Sequence, residues 1–124
     1  MAGTIAGDMH RIGGSSVENL RLKPREAMLN PPGISLLQAP SPGEAARQML
    51  EAFPAADGLH EAIQVIGSTT ADKIRSAEFD VITNPTRKLP NHCRLIHPDG
   101  VAGFTADNLA RLSAVFMETS GHLS

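Results

Sequence analysis

The chain contains no tryptophan, no tyrosine, four phenylalanines and one cysteine. Each shortage excludes something. So few aromatics cannot build a stacking platform for single-stranded nucleic acid. The core must instead be aliphatic, made of Leu, Ile, Val, Ala and Met. One cysteine cannot form an internal disulfide. No run of Lys or Arg could neutralise a phosphate backbone over a long footprint, and the formal net charge is −2. DNA is therefore not an expected partner, while a single substrate nucleotide stays open. No apolar stretch approaches the ~20 residues that span a bilayer, so no membrane association is expected. The opening "MAGTIAGDMH" lacks the basic and apolar regions of a signal peptide. The expected location is the cytoplasm, or delivery as cargo by a route that does not read this segment. No GK[ST] follows Gly13-Gly14, so there is no phosphate loop, and Ser35 and Ser41 do not sit in a G-x-S-x-G elbow.

What is present suits one domain. The 124 residues are 41% hydrophobic and 19% charged, ordinary for a globular chain. Residues 1–8 read as a loose tail and residues 9–124 as a single compact α+β domain. "MHRIGG" predicts a short strand closed by two glycines. "SSVENLRLKPREAMLN" predicts two short helical turns, because Pro24 breaks any longer helix. Ile34 to Gln38 predicts a strand bounded by prolines. "SPGEAARQMLEAF" starts a helix with Ser41 as N-cap, Pro42 at the first position and Glu44 completing a capping box. A strand is expected near Ala62 to Ile66, then a short helix capped by threonine with Asp72 in its first turn. "FDVITNP" and "NHCRLIHP" predict two further strands, close enough for an antiparallel hairpin. "TADNLARLSAVFMETSG" predicts a C-terminal helix from Thr105 to Gly121. This order favours a mixed, largely antiparallel sheet with two to three main helices over a doubly wound parallel sheet.

"PNHCRLIHPDG" concentrates the polar chemistry. Period-two geometry puts Cys93, Leu95 and His97 on one strand face and His92, Arg94 and Ile96 on the other. Cys93 and His97 are then ~13 Å apart along the strand, too far to share a metal through adjacent side chains. No metal site is expected, and Cys93 reads as a small buried hydrophobe. His92 and Arg94 could pair a proton-transfer group with a phosphate clamp. His97-Pro98-Asp99-Gly100 predicts a type I turn. "HRIGG" is the second cluster: His10 and Arg11 alternate onto opposite faces, and Gly13 and Gly14 allow close approach of a ligand or backbone. Glu44, Asp72 and Asp107 read as helix-start residues.

"HRIGGSSVENLRL" and "PPGISLLQAPSPGEAARQML" together resemble the first strand, following helix and second strand of ADP-ribosyltransferase-like proteins, including small bacterial toxins with RES domains. The resemblance covers the first 53 residues. It implies that Arg11 or His10 holds an NAD phosphate and that a second-strand hydroxyl, Ser35 or Ser41, contacts the ligand. The family commonly carries a glutamate on a later strand to orient ribose. Here the late strands offer His92, His97 and Asp99, and Glu118 is expected in the final helix.

The leading expectation is a toxin-like enzyme acting on NAD or a nucleotide, with NAD as substrate and no metal. His92, His97 and Ser35 are the candidate catalytic residues; His10, Arg11 and Ser41 are the candidate ligand-binding ones. A neutralising antitoxin or immunity protein would be its partner. Two alternatives remain. One is a metal-independent ribonuclease using His92, His97 and Arg94. The other is a non-catalytic interaction module or homodimer presenting Met28, Met49 and Met117.

Overall fold

The computed structural model describes residues 7–120. Strand β1 (Asp8–Ile12) leads through two short helices, α1 (Val17–Leu20) and α2 (Pro24–Ala27), to β2 (Gly33–Gln38). Helices α3 (Pro42–Ala52) and α4 (Leu59–Ala62) precede β3 (Val65–Thr70). Helix α5 (Ala71–Ser76), the hairpin β4 (Asp80–Thr83) and β5 (His92–Ile96), helix α6 (Ala106–Ala114) and β6 (Met117–Ser120) follow within the described residues. The fold is α+β. The six strands form one sheet in the order β4-β5-β2-β1-β3-β6, and every pairing is antiparallel rather than mixed.

The strands alternate apolar side chains between two faces. On one face Met9, Ile34, Leu36, Val81, Cys93 and Leu95 pack against Leu20 of α1, Ala71 and Ile74 of α5, and Leu109 and Leu112 of α6. On the other, Leu37 and Ile66 meet Ala45 and Ala46 of α3 and Leu59 of α4. Helix starts follow local chemistry. The hydroxyls of Ser16, Ser41, Thr70 and Thr105 each accept an N–H three residues on, from Asn19, Glu44, Lys73 and Asn108. The turn after His97 is closed by the Gly100 N–H donating to the His97 carbonyl at 2.9 Å, with Asp99 at φ −91 and ψ 10, the type I values.

Four expectations are corrected. The segment from Leu59 to Ala62 is helical, and the strand runs from Val65 to Thr70. Leu59 and Ile63, four residues apart and both buried, need helical spacing to share a core face. The final helix stops at Ala114, and Met117–Ser120 pairs with β3 instead, with Ile66 opposite Thr119. The Gly121 stop lies outside the described residues. Glu44 does not return to the Ser41 N–H; its carboxylate pairs with Arg47 one turn on. Of the expected tail, Asp8 already belongs to β1 and the Gly7 carbonyl accepts the Ala71 N–H at 3.1 Å, while residues 1–6 lie outside the described residues.

Candidate functional site

Strands β1 and β2 are in register over only Met9↔Gln38 and His10↔Leu37. Strands β1 and β3 pair over five residues. Beyond His10 the sheet therefore opens between β1 and β2. A cavity of about 540 Å³ sits over this opening. Its floor is His10, Ile12, Ser35, Leu37 and His92; Met49 of α3 and Phe53, the residue that caps its C-terminal end, form one wall, and the β4–β5 loop from Thr86 to Leu89 forms another.

Sheet register places the histidines. His10 lies opposite Leu37 on β2, and Leu37 lies opposite His92 on β5, so all three share one row and one face. Two strand spacings separate the two histidines, roughly 10 Å between backbones. Their rings are held in opposite tautomers. His10 Nε2 lies 2.8 Å from the Ala39 carbonyl, which can only accept, so Nε2 carries the proton and Nδ1 faces the Ser68 hydroxyl at 2.8 Å. Both ring nitrogens of His10 are engaged, and the residue is 1% exposed. His92 Nδ1 donates to the Asn84 carbonyl at 2.9 Å. Its Nε2 has no hydrogen-bond partner among the described residues and can accept a proton.

Arg11 starts on the opposite face of β1, but its guanidinium reaches into the opening. Nη1 donates to the Ser35 carbonyl at 2.9 Å, and Nε and Nη2 donate to the Asn19 carbonyl at 3.1 and 2.7 Å. The Asn19 amide in turn donates to the carbonyls of Ile12 and Gly14. It thereby fastens the turn in which Gly13 and Gly14 adopt φ +92 and +96, values that suit glycine. Arg11 is 7% exposed and has no carboxylate within ion-pair distance among the described residues. Burial lowers its pKa from the ordinary arginine value, and the more distant Glu26 acts in the opposite direction.

The rim adds charge. Arg87 and Lys88 line the cavity from the β4–β5 loop, and Lys88 Nζ rests 5.1 Å from the centroid of the Phe53 ring. Among the described residues, no Asp or Glu lines the cavity. Of the residues singled out in the sequence, His10, Arg11, Ser35 and His92 come together here. Ser41 does not line the cavity, and its hydroxyl caps α3. His97 lies on the opposite sheet face, edge-on to Phe79 at 4.8 Å, its Nδ1 accepting the Asp99 N–H at 3.0 Å. A ribonuclease that uses His92 and His97 as base and acid would need both on one substrate, and the sheet stands between them. Arg94 shares the His92 face, where its guanidinium donates to the Pro31 carbonyl at 3.1 Å. Glu118 lies on β6 at the sheet edge, its carboxylate accepting the Ser15 N–H at 2.8 Å.

Sequence reasoning missed Phe53, Arg87, Lys88 and Asn84. The available signal was "NPTRKLP", two adjacent cations in a loop bracketed by prolines. Among the described residues, no three His, Cys, Asp or Glu side chains gather as a metal site would require, and no helix is long and apolar enough to cross a membrane. Comparison with protein-family models, curated proteins and solved structures found no match.

Proposed function

We propose that the cavity binds a nucleotide and that the chain is a small toxin-like enzyme acting on NAD or a related nucleotide, by hydrolysis or ADP-ribosyl transfer. The observation that carries this reading is the charge of the cavity. Three cations, Arg11, Arg87 and Lys88, line it without a carboxylate, in a chain of net charge −2. Clustered cations without a neutralising carboxylate favour an anionic ligand, and both Arg and Lys suit phosphate. Met49, Phe53 and Leu37 offer apolar walls for a flat base, and the volume lies in the usual range for small-molecule sites.

In this reading the rim cations hold the diphosphate, Ser35 contacts ribose, and His92 moves the proton. In hydrolysis the bond from ribose C1′ to nicotinamide nitrogen breaks and its electron pair leaves with nicotinamide. A water oxygen bonds C1′, and His92 Nε2 takes the water proton. In transfer, an acceptor group replaces the water. With Glu118 at the far sheet edge, His92 is the polar end of the site. A toxin of this kind needs a neutralising partner protein.

The test is nicotinamide release from NAD by purified protein. Wild type is expected to release it, and His92→Ala to slow release by about 10²- to 10⁴-fold while unfolding at nearly the wild-type temperature. Wild-type protein that neither binds nor consumes NAD, and that is harmless when expressed without a partner, overturns the reading.

A further inference from the structure

Loop residues Thr86 to Leu89 are anchored beside the cavity. The Thr86 hydroxyl accepts the Leu89 N–H at 3.0 Å, and the Leu89 side chain is buried with Leu37, Ala39 and Ala45. Lys88, one residue before this anchor, is exposed. Its ammonium lies 5.1 Å from the Phe53 ring centroid, within cation–π range. No carboxylate lies within ion-pair distance of it among the described residues. Glu51, the acid of the adjoining groove, is engaged by Arg47. The ring face is therefore its electrostatic partner.

Phe53 is the phenylalanine that lines the cavity. Lys88 lines the same cavity, so a base that stacks on the ring from within it meets this ammonium. The two partners available to Lys88 differ in strength: a half-buried ring holds an exposed ammonium weakly, whereas a phosphate contact is a charge-assisted hydrogen bond. The neighbouring Arg87 has no hydrogen bond or ion pair among the described residues, so a phosphate at this rim would meet both cations.

We propose that Lys88 is the residue that selects phosphate-bearing ligands over uncharged nucleosides, by exchanging the Phe53 ring for the ligand's phosphate. An incoming base displaces the ammonium from the ring, and the flexible lysine stem carries it to the phosphate beside Arg87. An uncharged nucleoside must displace the same ammonium and offers it no new partner. The inference rests on the nucleotide reading of the cavity.

Titration calorimetry with adenosine diphosphate and with adenosine, on wild type, Lys88→Met and Lys88→Arg, tests it. Methionine keeps an aliphatic stem at an exposed position, and thermal unfolding reports whether each variant folds. Lys88→Met is expected to bind adenosine about two- to fivefold more tightly, because no cation–π contact has to be broken. It is expected to bind the diphosphate about tenfold more weakly, and Lys88→Arg to keep the wild-type preference. If Lys88→Met shifts both ligands in the same direction, or leaves adenosine unchanged, the exchange is wrong while the nucleotide reading stands. If wild type binds neither ligand and does not bind NAD, both fall together.

Discussion

The two faces of the sheet are packed on different plans. Under α1, α5 and α6 lies one continuous cluster running from Ile74 and Phe79 through Ile34, Leu36 and Leu95 to Leu112. Under α3 and α4 the apolar residues divide. Leu37, Ala39, Ala45 and Leu89 form one group; Ala46, Leu59, Ile63 and Ile66 form another; Met49 and Phe53 touch both. The cavity occupies the seam. A short aliphatic chain needs a dense face for stability, and here that face frees the other to leave a gap bordered by the half-buried Ile12, Met49, Phe53 and His92. The less densely supported region is the one with room for a ligand.

The sharpest way to break this comparison is to remove equal bulk from each face. Leu95 is fully buried in the dense cluster. Leu95→Ala is expected to cost about 2–5 kcal/mol, the range for a buried leucine that leaves a void. Met49 already borders open space, so Met49→Ala loses mainly transfer energy and is expected to cost about 1 kcal/mol or less. Denaturant midpoints at constant slope measure both. Equal losses would mean that the cavity closes in solution and that the faces do not differ.

A smaller effect is expected from adding bulk to the dense side. A Cβ on Gly103 would overlap the His97 ring at Nδ1, and His97 is itself wedged against Phe79. Gly103→Ala is expected to cost about 1–3 kcal/mol through overpacking. Truncating His97 to Ala in the same chain should recover part of that loss, a coupling of roughly 0.5–3 kcal/mol in a double-mutant cycle. NAD consumption should be unaffected by either change, since both residues sit across the sheet from the cavity. Loss of activity without loss of stability would place His97 in the chemistry and overturn the assignment of the two faces.

The sequence carried the local half of this architecture. Caps such as Ser41 and Thr105, the Pro-Asp-Gly turn and the alternation of Cys93 and Leu95 against His92 and Arg94 are short-range signals. Each survives because few competing contacts act on it. The end of α6 failed for the opposite reason. Val115, Phe116 and Met117 suit either period, and the choice is made by the edge of β3, some fifty residues earlier in the chain. The candidate site was half legible. His10, Ser35 and His92 stand on strands whose faces follow from alternation, so their shared cavity follows from register; Arg11 alternates to the other face and reaches the opening only through its long side chain. Phe53 and Lys88 meet from a helix end and a loop with no local pattern joining them. Ser41 and His97 looked reactive by residue type alone, and position assigns them to a helix cap and a buried turn.

The smallest effect probes the dense face from within. Cys93 is 1% exposed on β5, opposite Leu36. Burial pushes its thiol pKa up from the ordinary cysteine value, and a backbone N–H of Gln38 opposes this. The folded chain thus holds the thiol proton more tightly than the unfolded chain does. The sign follows from linkage: this contribution is fully present below the unfolded thiol range and is lost as pH rises through it. The stability of wild type relative to Cys93→Ala should therefore fall between about pH 7 and about pH 10, with most of the change above about 8.5. Chemical unfolding of both proteins across that range measures it, and subtracting the variant removes every other titration common to the two. A difference that stays flat would mean that water reaches the thiolate between β2 and β5. The face taken as dense would then be open where it should be tightest, and the contrast with the cavity side would fail from that direction.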